Sequence, residues 1–318
     1  MSRYAAAHLE PNGAGDSRPT AYQIVQDAEM EGKLVGKVAV VTGSSSGIGV
    51  ETVRALAKTG LRFFLPVRNR NKTITALGDS YDPEKMEFIT MDQASLESVR
   101  DAAKEILAKT TQISILVNNA GILAVPELQL SKDNFELQFA TNYLSHFLLF
   151  QLLKPALIAA ITPGFQSRVV VFREGRHHPF VAYAQSKTAT IYMANEIERR
   201  YGSRGVHATS VHPGVIATGL GRYLSEELVQ GLLQNEHLTK YWKSPEQGAA
   251  TTVWAAIGRE WEGRGGKYLS NCAEAPLGPG EPQDDPAGAW HVEHTYNQEN
   301  ELRLWKDTLN LLNLADDE

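Results

Sequence analysis

The chain has 318 residues, 42% of them hydrophobic, enough for one large core with extensions at both ends. A formal net charge of -6 argues against nucleic acid or an anionic membrane as a partner. Its single cysteine, Cys272, excludes an intrachain disulfide, and no stretch approaches the roughly 20 continuous apolar residues of a membrane span.

A protein of the cytoplasm is therefore expected, with Cys272 a small buried core residue. Met1 to Thr20 is rich in Ala, Gly, Pro and polar residues, has no apolar run of a signal peptide, and is expected to be disordered. Tyr22 to Lys33 predicts a short helix. Val38 to Val41 is a β-branched apolar run, as in a strand buried on both faces. A Gly/Ser-rich turn leads to a helix over Val50 to Thr59, ended by Gly60. Arg62 to Val67 predicts a second strand, with Pro66 near its end because proline cannot donate to a ladder.

The alternation continues with a strand at Met86 to Thr90, a helix at Ser95 to Lys109 and a strand at Ile113 to Val117. A long helix is expected over Lys132 to Leu153, then a strand at Arg168 to Phe172, a helix at Ala184 to Arg200 and a strand at Val206 to Val211. Gln247 to Ile257 predicts a further helix and Gly266 to Leu269 a last edge strand. Ala273 to Gly288, rich in Pro, Gly and acidic residues, reads as a loop. In Asn297 to Leu314, Leu302, Trp305, Leu309 and Leu312 recur at helical spacing, a stripe for the chain's own core or for a subunit interface. Such alternation predicts an α/β fold, a doubly wound parallel sheet of the Rossmann type, in a single domain. The expected organisation is an extension over 1–33, a Rossmann domain over 34–272, and a loop and helix over 273–318.

Thr42-Gly43-Ser44-Ser45-Ser46-Gly47-Ile48-Gly49 lies between the first strand and its helix. Glycine permits a sharp turn and close approach of backbone to a ligand, and a helix amino terminus offers unpaired N–H groups to a pyrophosphate. The context of strand before and helix after is what that mechanism requires. After the second strand, Arg68-Asn69-Arg70-Asn71-Lys72 holds three cations and no acid. An acid there holds a ribose 2′-hydroxyl, whereas Arg or Lys suits a 2′-phosphate, so NADP(H) is the expected cofactor, with Arg68 the main contact.

The T-G-x-x-x-G-I-G turn resembles that of the short-chain dehydrogenase/reductase family, in the NADP-preferring branch of retinol-dehydrogenase and WW-domain-oxidoreductase-like enzymes. Further segments match in order over residues 34–312: Asn118-Asn119-Ala120-Gly121, Asn142 within Thr141 to Phe147, Tyr183-Ala184-Gln185-Ser186-Lys187, and Pro213-Gly214-Val215-Ile216-Ala217-Thr218. The resemblance implies cofactor contacts at Gly43, Ser45, Ser46, Gly47, Ile48, Gly49, Arg68, Asn69, Asp92, Asn119, Ala120, Gly121, Tyr183, Lys187, Val215 and Thr218. It also implies an Asn142 that orders a water behind the lysine, and a dimer or tetramer. No metal is expected.

Tyr183 and Lys187 are four apart, so on a helix both side chains share one face. A free phenol has a pKa of about 10, and a nearby ammonium favours the phenolate. That pairing suits proton exchange with a carbonyl or alcohol oxygen. One departure stands out. The family has a serine just after the fifth strand, but here Val171-Phe172-Arg173 occupies that place, and no Ser or Thr occurs from Val169 to Ala182. Two readings follow. In one, Arg173, His177 or His178 replaces the serine, and the chain is an NADP(H)-dependent oxidoreductase of a carbonyl or alcohol on an apolar small molecule. In the other, the contact is absent and the chain is a catalytically impaired or non-redox NADP-binding member, serving as sensor or partner.

Overall fold

The protein is described by a computed structural model that covers residues 2–172, 180–278 and 288–316. In chain order, α1 is Ala21–Asp27, β1 Val38–Val41, α2 Ile48–Ala57, β2 Arg62–Val67, α3 Arg70–Leu77, β3 Met86–Thr90, α4 Leu96–Lys109 and β4 Ile115–Asn118. They are followed by α5 Leu137–Phe139, α6 Ser145–Ala159, β5 Ser167–Phe172, α7 Phe180–Tyr201, β6 Val206–His212 and β7 Val215–Ile216. The remainder is α8 Glu226–Gln234, α9 Glu236–Thr239, β8 Trp242–Lys243, α10 Pro245–Gly248, α11 Ala250–Ile257, β9 Lys267–Ser270, β10 Ala273–Glu274 and α12 Gln298–Leu311.

Eight described strands form one sheet in the order β10-β9-β6-β5-β4-β1-β2-β3, parallel except for β10. This is the doubly wound fold that the alternation of elements predicts. Each central strand is buried on both faces. Ala39 and Val41, with Phe63 and Leu65, pack under α1, α2 and α11. Val38 and Val40, with Phe64 and Leu116, pack under α4, α6, α7 and α12. Two cores explain why the strands read as continuous apolar runs rather than alternating ones. Pro66 is tolerated because pairing of β2 with β1 ends at Phe64, two residues earlier.

Three expectations need correction. The long helix does not begin at Lys132. Ser131 Oγ accepts from the Asp133 and Phe135 amides, and Asn134 is left-handed at φ 63, so this stretch turns instead. Helix starts at Leu137, capped by the Glu136 carboxylate, widens to a π turn over Ala140–Leu144, and continues through Pro155 to Ala159. Secondly, β9 is not an edge strand, because β10 pairs antiparallel outside it. Thirdly, composition predicts disorder before Thr20, yet buried polar bonds fasten this segment. The Arg18 guanidinium donates to Asp16 and to the carbonyls of Gly13, Tyr241 and Trp242, while Gln247 Nε2 donates to the Asp16 and Arg18 carbonyls. Few apolar residues are needed where an ion pair and backbone acceptors are so completely satisfied.

Residues 217–241 form a lid whose two stems are joined by the short parallel pair β7 and β8. Arg18 grips the second stem at residues 241 and 242. No described helix is long and apolar enough to cross a membrane.

The α12 stripe covers the chain's own core. Trp305, Leu309 and Leu312 are buried, whereas Leu302 is exposed. The Trp305 ring meets Phe147 edge-on at 4.8 Å and lies beneath the Arg200 guanidinium at 5.0 Å. Trp305→Ala should cost about 3–5 kcal/mol, read as a lower midpoint in urea unfolding at unchanged slope. A change under about 1 kcal/mol would mean that α12 is not part of the cooperative core.

Candidate active site

The sheet order turns back at β1, with β2 and β3 on one side and β4, β5 and β6 on the other. Loops leaving β1 and β4 diverge there, opening a crevice at the carboxyl ends of the strands. A cleft of about 560 Å³ occupies this place, walled by the loops after β1, β2, β3, β4 and β6, by Tyr183 and Lys187 of α7, and by the first turn of the lid.

The turn after β1 is held tightly. Gly43 has φ +71, and a Cβ there would lie 2.7 Å from Ala120 Cα; a Cβ on Gly49 would lie 2.3 Å from the Gly43 carbonyl oxygen. Only glycine fits either position. Asn119 Nδ2 donates to the Thr42 and Gly43 carbonyls at 2.8 and 3.1 Å, and the Ala120 amide donates to Thr42 Oγ1 at 3.0 Å. Ser45, Ser46, Gly47, Ile48 and Gly49 line the cleft, so α2 opens from its wall. Thr218, which also lines it, packs where a Cβ on Gly47 would lie 3.1 Å away.

Tyr183 and Lys187 line the same cleft, both buried, with Lys187 Nζ 5.5 Å from the phenol ring centroid. Gly121 is packed between Lys187 and Asn142: a Cβ on it would lie 3.3 Å from Lys187 Nζ and 3.2 Å from Asn142 Oδ1. The Asn142 side chain is engaged on all sides, accepting from the Ile122 amide at 2.9 Å and donating to the Ile122 carbonyl and to Ser186 Oγ. Ser186 Oγ in turn donates to the Tyr183 carbonyl at 2.7 Å. Asn142 thus fastens the loop after β4 to the helix that carries Tyr183 and Lys187. It stands behind the cleft wall, in the π turn, a helix irregularity often found at functional sites.

His146, one helical turn further on, is a residue that the sequence reading missed. Its Nδ1 lies 3.0 Å from the Asn142 carbonyl and its Nε2 3.0 Å from Thr42 Oγ1. A carbonyl only accepts, so Nδ1 carries the proton, Nε2 accepts from the Thr42 hydroxyl, and Thr42 accepts from the Ala120 amide. Burial pushes the imidazole down to about 3, with the Lys187 charge acting in the same direction and the Asn142 carbonyl against it. The spacing of His146 four residues after Asn142 was the available signal.

At the other end of the cleft, Arg68 and Lys72 line the wall and make no ion pair with described residues. Asn69 is turned to structure, its side chain capping α3 through the Lys72 amide at 2.9 Å. Asp92 and Gln93 line the wall after β3, where Asp92 accepts from the Ala94 amide. Val215 lies in β7 outside the cleft lining, whereas Ile216 belongs to it. Arg173, His177 and His178 lie outside the described residues. Leu220, Arg222 and Tyr223 also line the wall, and so do Ile122, Leu137 and Thr141, which no motif singled out.

Sheet order and crevice define a Rossmann-type dinucleotide fold. A family profile described as short chain dehydrogenase matches residues 37–228. The chain is 46% identical over 330 residues to the short-chain dehydrogenase/reductase prx1 of Penicillium roqueforti, covering 99% of this chain and 96% of that one. It is 42% identical over 345 residues to the oxidoreductase calI of Penicillium decumbens (99% and 98% covered), and 31% identical over 307 residues to human polyprenol dehydrogenase (88% and 86% covered). Among solved structures, an uncharacterized protein of Mycobacterium paratuberculosis superimposes with TM-score 0.65 at 25% identity, over 90% of this chain and 97% of that chain. The Pseudomonas aeruginosa RhlG/NADP active-site complex shares the fold, with TM-score 0.64 at 22% identity, over 74% of this chain and 95% of that chain. The chain belongs to the short-chain dehydrogenase/reductase family.

His146 has its own acid signature. Its folded pKa lies below the ordinary histidine value, so the neutral ring's contribution is complete above about pH 6.5 and is lost as pH falls toward about 3. Replacing it as His146→Gln should flatten the acid limb of unfolding free energy by up to about 1.4 kcal/mol per pH unit between those values. Parallel limbs in denaturant titrations from pH 6.5 to 4 would show that the ring is not held neutral.

Proposed function

We propose that this chain is an NADP(H)-dependent oxidoreductase of the cytoplasm that interconverts a carbonyl and an alcohol on an apolar small molecule. The observation that carries the reading is one cleft shared by the glycine turn, the buried Tyr183 and Lys187, and the free cations Arg68 and Lys72. The residues fit a dinucleotide: side chains are excluded at Gly43 and Gly49, α2 presents its amino terminus, and the β2 end offers positive charge to a 2′-phosphate. Ser45, Ser46, Gly47 and Ile48 would hold the pyrophosphate, Asp92 the adenine end, and Asn119, Ala120, Gly121 and Thr218 the wall around it.

When bound, the nicotinamide supplies or accepts the hydride. Tyr183 gives its phenolic proton to the carbonyl oxygen in reduction, or takes the hydroxyl proton in oxidation. The Lys187 ammonium, beside the ring, stabilises the phenolate that exists between proton transfers. Asn142 keeps the loop after β4 and the Tyr183 helix in register, so that the proton is held at a fixed place. Ile122 and Leu137 add apolar side chains to the cleft wall, suited to an apolar substrate. The likeness to a polyprenol dehydrogenase supports an apolar substrate.

The absence of Ser and Thr between Val169 and Ala182 favours a second reading, an NADP-binding protein without redox turnover. Loss of one preorganised donor costs about 100- to 1000-fold in rate. Turnover separates the two. NADPH oxidation against aldehydes, ketones and quinones should be detectable, and Tyr183→Phe should lower it about 100- to 10 000-fold. Tight NADPH binding with wild-type turnover no greater than that of the mutant would leave the second reading standing.

The choice of nucleotide has a separate check. Arg68→Ala should raise the Kd for NADPH about tenfold while leaving that for NADH nearly unchanged. Equal loss for both nucleotides would remove the 2′-phosphate assignment.

A further inference from the structure

We infer that Arg222, on the first turn of the lid, is the cation that pairs with the cofactor pyrophosphate. This rests on the dinucleotide reading of the cleft and adds to it a residue outside the matched motifs. The phosphate turn itself, residues 43–49, carries no charged side chain. A pyrophosphate brings two negative charges, while a helix amino terminus offers only about half a positive one. A further cation near that turn would complete the balance.

Arg222 stands where such a cation is needed. Thr218 packs over the phosphate turn, where a Cβ on Gly47 would come within 3.1 Å of it. The chain then enters the short helical turn Gly219–Tyr223, and Arg222 Nη1 donates back to the Gly219 carbonyl at 3.1 Å. The guanidinium is thereby held next to the residue that touches the turn. It lines the cleft and forms no ion pair with described residues, so its remaining donors are available. Arg68, just past β2, and Lys72 of α3 lie on the far side of β1 and serve the 2′-phosphate end. Because Arg222 lies between β7 and β8, a pyrophosphate bound to it would also fasten the first turn of the lid over the cofactor.

The two anionic groups can be probed separately. NADH carries the pyrophosphate alone, 2′-AMP the 2′-phosphate alone, and NADPH both. Fluorescence titration and calorimetry of the full chain should show Arg222→Ala weakening NADH and NADPH alike, by about five- to twentyfold, with 2′-AMP unchanged. Arg222→Lys should recover part of the NADH affinity, and the salt dependence of NADH binding should become shallower in the alanine variant. Arg68→Ala should give the complementary pattern, losing 2′-AMP and NADPH but keeping NADH. Arg222 is exposed, so an unchanged melting temperature without nucleotide is expected. An NADH Kd within about twofold of wild type in Arg222→Ala would overturn the inference and leave the dinucleotide reading intact. Equal losses for 2′-AMP and NADH would move Arg222 to the adenosine end and also overturn it. A wild-type chain that binds neither dinucleotide would remove the underlying reading and the inference with it.

Discussion

The seam between β1 and β4 governs the rest of the molecule. Thr42 lies at its carboxyl end and joins three elements through one hydroxyl, accepting from the Ala120 amide and donating to His146. Asn119 closes the same seam from the other side through the Thr42 and Gly43 carbonyls. Thr42 and His146 are shielded from water, where an unmade hydrogen bond is costly and a completed network is rigid. The phosphate turn, the loop after β4 and the π turn bearing Asn142 are therefore parts of one polar lattice. Two glycines admit the close approach that makes it possible.

From that seam the chemistry divides by position. On the α7 side Tyr183 and Lys187 line the cleft, with Asn142 behind them. On the β2 and β3 side Arg68, Lys72 and Asp92 line the opposite end of the cleft. His146 links the halves without carrying charge, since burial keeps its ring neutral. A charged imidazole there would stand against the Lys187 charge. Neutrality at this position spares Lys187 a neighbouring like charge.

The lid shows how an extension of low hydrophobicity acquires a structural task. Residues 13–18 contribute almost no apolar burial, yet Arg18 satisfies the carbonyls at the second stem, and Lys243 in that stem donates to the Pro213 carbonyl on the cleft wall. The amino-terminal strap, the lid stem and the cleft wall at Pro213 are thus bonded in series.

The strands, the phosphate turn and the Tyr183–Lys187 pair were legible from the chain alone, because each depends on local rules. Strands buried on both faces are apolar throughout, a turn that admits backbone to a phosphate needs glycine, and a pair four apart on a helix shares a face. Family membership was legible for the same reason, as a series of such local patterns in order. What the sequence could not determine depends on partners distant along the chain. Arg18 is buried because residues 241 and 242 present carbonyls to it, and Asn142 turns from the cleft because Ile122 and Ser186 claim its amide. The helix expected from Lys132 starts late because Ser131 and Asn134 make a turn that periodicity does not register. His146 gains its Thr42 partner from a segment about a hundred residues away in the chain. Local chemistry named the parts of the cleft, and only tertiary packing decided which of them face it and which hold it together.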